Sequence, residues 1–340
     1  MLYFKNDYQE GCAKEILDVL VKTNEVSSVG YGLDIYTAEA INRIKKEIST
    51  EDVDIHFLVG GTQTNLTAIS VLRPYEAILS PETGHICVHE CGAIENTGHK
   101  VVSVKSVAGK IDLADLECKI KDHESFHMVK PKMVYISDTT ELGTTYTKAD
   151  LVALRQICDT YNLYLYIDGA RLAQALTAKS NDLTLADIAR YSDMFYIGGT
   201  KNGALFGEAL VIINNDLKPN FKYLMKQRGA VLAKGRLLGL QFNELFKNDL
   251  FYKLGSHANL MAGKLREIFN KYQFKEYVKN DTNQIFIIMP QKVYEAIKNK
   301  VACEIEKSLD DNTLVIRFVT SFMTKDKDII GFDNILKEII

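Results

Sequence analysis

LYLYIDGARLAQAL, residues 163–176, runs from an unbroken apolar stretch into an aspartate, a glycine and an arginine. Leu163 to Ile167 have the composition of a strand buried on both faces, and the run stops at Asp168. A carboxylate at the end of such a strand is costly unless a cation or hydrogen-bond donors meet it. One reading is structural, with Asp168 pairing Arg171 or capping the next helix. The other is a ligand site, because ligands of open parallel sheets gather beyond the carboxyl ends of the strands.

Downstream, DMFYIGGTKNGALFGEALV (193–211) is a second strand that ends on a double glycine and places Lys201 in a glycine-flanked turn. A lysine held at a sheet edge among apolar residues loses hydration, so its pKa falls and the neutral amine becomes a nucleophile. An ordinary lysine on a turn is the alternative. Upstream, LVGGTQTNL (58–66) is a strand, then Gly60, Gly61 and Thr62, then a helix start. That turn suits a phosphate at a helix N-terminus, or it is only a tight capped turn. It lacks the lysine of a P-loop, and GYG at 30–32 is no dinucleotide fingerprint. In combination the three sites say more than each alone. A lysine for a Schiff base, an aspartate for a pyridinium nitrogen and a helix N-terminus for a phosphate are what pyridoxal 5'-phosphate requires.

Further strands are expected at IHFLVG (55–60), EAILS (76–80), KVVSV (100–104), KMVYIS (132–137) and EALVII (208–213). Amphipathic segments lie between several of them, and KADLVALRQICDTYN (148–162) carries Leu151, Leu154, Ile157 and Cys158 at helical spacing. Strands alternating with helices predict an α/β fold, with a mostly parallel sheet flanked by helices. This large domain is expected over residues 15–250, after an N-terminal segment of residues 1–14. Beyond it, HANLMAGKLREIFNKY (257–272), QIFIIMP (284–290), PQKVYEAIKNKV (290–301), TLVIRFV (313–319) and FDNILKEII (332–340) read as helix, strand, helix, strand and helix. They predict a small C-terminal α+β domain over 251–340, although no Pro/Gly-rich linker marks the boundary.

A chain of 340 residues has room for about two domains. The net charge of -3 supplies no broad basic field, so no nucleic-acid partner is expected. The opening MLYFKNDYQEGC has no apolar signal core and no run is long enough to span a bilayer, so a cytoplasmic protein without a membrane partner is expected. Six cysteines scattered through such a chain favour reduced thiols.

HICVHEC (85–91) alternates histidine and cysteine, which raises a different class of function: a non-catalytic zinc-binding protein. In a strand, alternate side chains on one face stand about 6–7 Å apart, too extended for four to converge on one ion. In a helix only His85/His89 or Cys87/Cys91 pair, and no second dyad of suitable spacing follows. No metal is therefore expected.

Over nearly its whole length the chain resembles the threonine aldolase/β-eliminating lyase family of fold type I pyridoxal-phosphate enzymes. The resemblance is carried by KNDYQEG (5–11), YGLDIYT (31–37), GGTQTN (60–65), HICVHECGA (85–93), DGARLAQA (168–175), GGTKNGA (198–204) and VIRFVTSF (315–322). It implies that Lys201 holds the cofactor, Asp168 keeps its ring nitrogen protonated, and Gly61, Thr62 and Gln63 cradle its phosphate. It further implies that Arg171 contacts the cofactor edge or the substrate carboxylate, that Arg317 binds that carboxylate, and that Arg228 reaches a phosphate, in the same or a neighbouring subunit. His85 corresponds to the ring-stacking histidine, and His127, eleven residues before Asp138, to a second active-site histidine. Either is a candidate base for a substrate hydroxyl. Asn6 stands at a substrate-side position.

Departures cluster at the substrate end. Asp138-Thr139-Thr140 replaces the family's Asn-Thr-His, Asn6-Asp7 replaces its Ser-Asp, and Ser321 replaces a histidine. The implied reaction is retro-aldol cleavage of threonine or allo-threonine to glycine and an aldehyde, in a dimer or tetramer. β-Elimination or transamination of another amino acid is the alternative within the same cofactor class.

Overall fold

A computed structural model describes every residue from Met1 to Ile340. The seven strand candidates before residue 250 form one seven-stranded sheet. They are β1 (Asp54–Leu58), β2 (Glu76–Pro81), β3 (Lys100–Val104), β4 (Lys130–Ser137), β5 (Tyr164–Asp168), β6 (Met194–Gly198) and β7 (Glu208–Ile212). Their spatial order is β1-β7-β6-β5-β4-β2-β3. β7 runs antiparallel to both neighbours, and all other pairs are parallel. The carboxyl ends of six strands and the amino end of β7 therefore open on one edge.

The inner strands are apolar throughout because helices cover both faces: every residue of β6 is buried, and so are Leu165 to Asp168 of β5. Helix α1 (Gly61–Ile69) leaves β1 at the open edge. Helix α2 (Lys148–Thr160) is held by a Thr147/Asp150 capping box and buries Leu151, Leu154 and Cys158.

Helix α3 (Leu250–Lys271) begins where the sequence changes texture. A Cβ on its Gly255 would lie 2.6 Å from the Ala173 carbonyl oxygen, so the helix backbone lies close against the first unit. Its far half, from Met261 to Phe269, joins the core of a second, antiparallel sheet. That sheet comprises β8 (Lys275–Val278), β9 (Gln284–Pro290), β10 (Glu304–Asp310) and β11 (Thr313–Val319), in the order β8-β9-β11-β10. The final helix starts at Asp326 rather than Phe332. Leu2 and Tyr3 pair with Val301 and Ala302, and Phe4 is buried in the second core. The first residues thus pack with the C-terminal unit. No helix is long and apolar enough to cross a membrane.

Candidate active site

Asp168 and Lys201 come together because β5 and β6 touch backbone to backbone at their ends. The Gly198 amide donates to the Gly169 carbonyl at 2.9 Å. A Cβ on Gly169 would stand 2.0 Å from the Tyr196 carbonyl oxygen, and one on Gly198 would stand 2.4 Å from that of Ala170. The glycines after each strand are thus a packing requirement, as well as a turn.

Asp168 is sealed and fully engaged. Its Oδ2 accepts from the Tyr135 hydroxyl (2.7 Å) and Asn65 Nδ2 (3.0 Å), and its Oδ1 from the Ala170 amide (3.0 Å). Lys201 is the opposite case. Its ammonium makes no hydrogen bond, and burial, reinforced by the Arg171 guanidinium, lowers its pKa despite Asp7, Asp168 and Glu208 nearby. Glu208, at the amino end of β7, accepts from the Gly199 amide (3.0 Å) and the Thr200 hydroxyl (2.8 Å), and so pins the turn that carries Lys201. Burial pushes its carboxyl up to about 8, against the Thr200 and Gly199 donors and Lys201.

The start of α1 forms a cradle. Gly60 precedes the helix without a side-chain cap, and nothing lies within 4 Å of a Cβ built on it. The amides of Gly61, Thr62 and Gln63 meet no acceptor in the chain. Gln63 accepts from the Val59 amide (3.2 Å) and donates to the Arg228 carbonyl (3.4 Å), which draws the Arg228 loop to the same place. The Arg228 guanidinium bonds only Gln227 (2.8 Å), and burial lowers its pKa with no carboxylate to compensate. Free amides at a helix N-terminus beside a cation lacking a counter-ion suit a phosphate. With the unpartnered lysine and the sealed aspartate, these residues fit pyridoxal 5'-phosphate.

The HICVHEC segment forms a short helix, His85–Val88, beyond β2. His85 Nδ1 bonds Glu90 (2.8 Å), and the same Glu90 oxygen accepts from Asn65 Nδ2 (2.7 Å), so His85 is tied to Asp168 through two side chains. The rings of His85 and His89 lie 5.5 Å apart, Cys91 is exposed, and no three of its side chains converge for a metal. Sequence reasoning missed Asn65, Tyr135, Glu141 and Glu208 as members of this edge. Asn65 closes GGTQTN and Glu208 follows the lysine turn, so position relative to the motifs was the available signal. Tyr135 and Glu141 lie near Asp168 only through sheet register, which pairs Ser137 with Asp168.

Arg171 is mostly buried, with 13% of its side chain exposed, and bonds Asp7 through Nε (2.7 Å) and Nη2 (3.0 Å). Asn6 itself sits in a local turn, with its Oδ1 accepting from the Tyr8 amide (3.2 Å), while the neighbouring Asp7 occupies the interior. Arg317 bonds Glu304 on β10; burial first, then His85 and Arg317, hold the pKa of His89 down. Arg317 is thus within electrostatic reach of His89, and its own hydrogen bond is to Glu304 of the second sheet.

His127 does not join the site. It is exposed, on a turn just before β4, at the amino end of a strand whose carboxyl end carries the site. Eight strand residues at about 3.3 Å each separate the two ends. Within its own chain, then, His127 is not placed as the second active-site histidine that the resemblance implies. His127→Ala is expected to leave steady-state turnover within about twofold of wild type, and a loss of tenfold or more would contradict this placement.

Sheet, lysine turn, buried aspartate and amide cradle define an enzyme of the pyridoxal-phosphate class with a fold type I architecture. The family model described as beta-eliminating lyase matches residues 24–292. A low specificity L-threonine aldolase of Pseudomonas sp. (strain NCIMB 10558) is 30% identical over 303 residues, 87% of each chain. The solved Leishmania major threonine aldolase is 46% identical, with a TM-score of 0.98 over 100% of this chain and 99% of that one. The histidinol-phosphate aminotransferase of Clostridium acetobutylicum, 15% identical with a TM-score of 0.75 over 100% of this chain and 99% of that one, shares the fold. The chain belongs to the beta-eliminating lyase family and is a pyridoxal-phosphate-dependent lyase.

Proposed function

We propose that the protein cleaves a β-hydroxy-α-amino acid, threonine or allo-threonine, to glycine and an aldehyde. The observation that carries this reading is the unpartnered Lys201 beside Arg171 and Asp168 on one sheet edge, in a chain 46% identical to a threonine aldolase along its length. Bound pyridoxal phosphate supplies an electrophile for the substrate amine and a sink for the electrons left on Cα. Lys201 is the residue that holds it; its lowered pKa favours the neutral amine that attachment needs. Asp168 presents a fixed negative charge, oriented by three donors, to the ring nitrogen. Gly61, Thr62, Gln63 and Arg228 would bind the cofactor's phosphate, and His85, tethered by Glu90, would pack against the cofactor.

Arg171 spends Nε and Nη2 on Asp7, which leaves Nη1 free to bind the substrate carboxylate. Arg317, reaching from the second sheet, is the other carboxylate ligand. Fixing the carboxylate between them would set which Cα bond is oriented for cleavage. We also read two domains divided near Leu250, and a cytoplasmic homo-oligomer. Supporting the last are six free cysteines and the exposed apolar run Val26, Val29, Tyr31, Leu33 and Ile35, each at least 45% accessible.

Purified enzyme incubated with threonine is expected to release glycine and acetaldehyde, and borohydride followed by peptide mapping is expected to label Lys201. Pyruvate or another keto acid as the main product would replace the aldolase reading with elimination or transamination. A label elsewhere would break the lysine assignment, and sedimentation as a monomer would remove the oligomer.

A further inference from the structure

We propose that Glu141 is the group that takes the proton from the substrate's β-hydroxyl. The inference deepens the aldolase reading and rests on it. Glu141 lies just past the carboxyl end of β4, on the edge that holds Lys201 and Asp168. Its Oε1 accepts from the Ser137 hydroxyl (2.7 Å) and from the His85 amide (2.8 Å). Two donors on one oxygen fix the carboxylate to the strand end and to the segment that carries His85. Its Oε2 bonds nothing and is not among the sealed polar atoms of the chain, so it stays open to a ligand.

The other acids on this edge are already committed. Asp168 is satisfied on both oxygens, Glu208 holds the lysine turn with both of its own, and Asp7 is bound by Arg171 and Asn283. Glu90 has a free oxygen, but it is sealed from solvent. His85 has Nδ1 occupied by Glu90. Were His85 to stack on the bound cofactor, as the resemblance implies, its remaining lone pair would lie in the imidazole plane rather than toward the cofactor face. Burial, with Asp168 nearby, raises the Glu141 carboxyl against the donors from Ser137, its own amide and His85, which makes it a stronger proton acceptor than a surface carboxylate.

In the step itself, the β-hydroxyl O–H bond breaks and its proton passes to Oε2. The oxygen's electron pair forms the aldehyde C=O, and the Cα–Cβ bond breaks with its electrons left on the glycine carbon. Glu141 is then neutral and returns its proton to water, while the glycine carbon is protonated by another donor. No oxidant or reductant is needed. This places the base at the stretch where the sequence departs from the family's Asn-Thr-His.

Glu141→Gln keeps an oxygen for Ser137 and His85 and removes only the basic Oε2. In the holoenzyme, kcat for threonine cleavage is expected to fall on the order of 10²–10⁴-fold with KM moving less than about threefold. Exchange of the glycine α-proton with D₂O involves no β-hydroxyl and is expected to continue at close to the wild-type rate. In the apoprotein, difference infrared spectroscopy is expected to show a carboxyl that titrates above the ordinary glutamate range and vanishes in Glu141→Gln. The groups facing it are Asp168, Arg171, Tyr135, Tyr146 and Cys87.

Near-wild-type cleavage by Glu141→Gln, parallel loss of cleavage and glycine exchange, or absence of that infrared band would each overturn the assignment. If wild type cleaves threonine and Glu141→Gln matches it, only the role of Glu141 falls. If wild type releases glycine from no β-hydroxy amino acid, the aldolase reading falls and takes this inference with it.

Discussion

Lys201→Ala is expected to fold, to bind cofactor only non-covalently, and to lose turnover on the order of 10⁴–10⁶-fold, the scale seen when a covalent nucleophile is removed. The fold should survive because the lysine ammonium holds nothing up: it makes no hydrogen bond, and the turn around it is fixed by others. Gly199 donates to the Gly207 carbonyl (3.0 Å) and to Glu208, and Asn202 donates through its side chain to the Phe251 carbonyl (2.9 Å). Removing a poorly solvated cation also removes a desolvation cost. Thermal melting of the apoprotein should therefore stay within a few degrees of wild type. Gel-filtered variant protein should lose cofactor that wild type retains, and borohydride should fix none of it to the chain. A variant that keeps covalently trappable cofactor would show that a different lysine does the chemistry. The same substitution removes the cation that draws Glu208 down, so the Glu208 carboxyl should titrate higher still in the variant.

Much of this site is legible without coordinates because parallel sheets write themselves plainly. Strands buried on both faces are apolar runs, and each run ends where the chain must turn polar, so Asp168, Lys201 and the GGTQTN turn stand out as interruptions. β10 was invisible for the converse reason. EIEKSLD is largely exposed along its length and carries no apolar alternation, so its pairing with β11 is decided by its neighbour rather than by its own residues. The N-terminal residues read as a separate segment because the pairing of Leu2 with Val301 spans almost the whole chain.

His127 and Glu141 are a matched pair of lessons. Spacing from Asp138 suggested the histidine, but β4 occupies residues 130–137 and carries the chain from one end of the sheet to the other. A residue before the strand and one after it are therefore on opposite edges, whatever their separation in sequence. The departures at Asp138 to Thr140 follow directly on Ser137, which pairs with Asp168 at the open end of β4. One residue further on stands Glu141, the carboxylate proposed as the base, and its bonds to Ser137 and His85 are not legible in the sequence.

Asp7→Ala is expected to destabilise the apoprotein by about 3–5 kcal/mol at neutral pH, the usual cost of leaving one member of a buried ion pair alone. Asp7 is fully buried, and three parts of the chain meet on it: Arg171 from beyond β5, Asn283 beside β9 (2.9 Å), and the N-terminal segment that carries it. Without it, the Arg171 guanidinium is buried near the Lys201 ammonium with no anion between them. Burial raises the Asp7 carboxyl, but Arg171, Lys201 and the bonds from Arg171 and Asn283 outweigh this and hold it below the ordinary value of 3.8. A group depressed in the folded state contributes its stability above the unfolded pKa and loses it as pH falls through the folded one. The gap between wild type and Asp7→Ala in urea midpoint should therefore be full at pH 7 and shrink only below about pH 4. An Asp7→Asn/Arg171→Gln double variant leaves no charge stranded and should recover part of the loss, although its catalysis should not return, since Arg171 is gone. Single and double variants with equal midpoints would mean that Asp7 acts through packing alone. A midpoint gap unchanged down to pH 3 would deny the ion pair its electrostatic role.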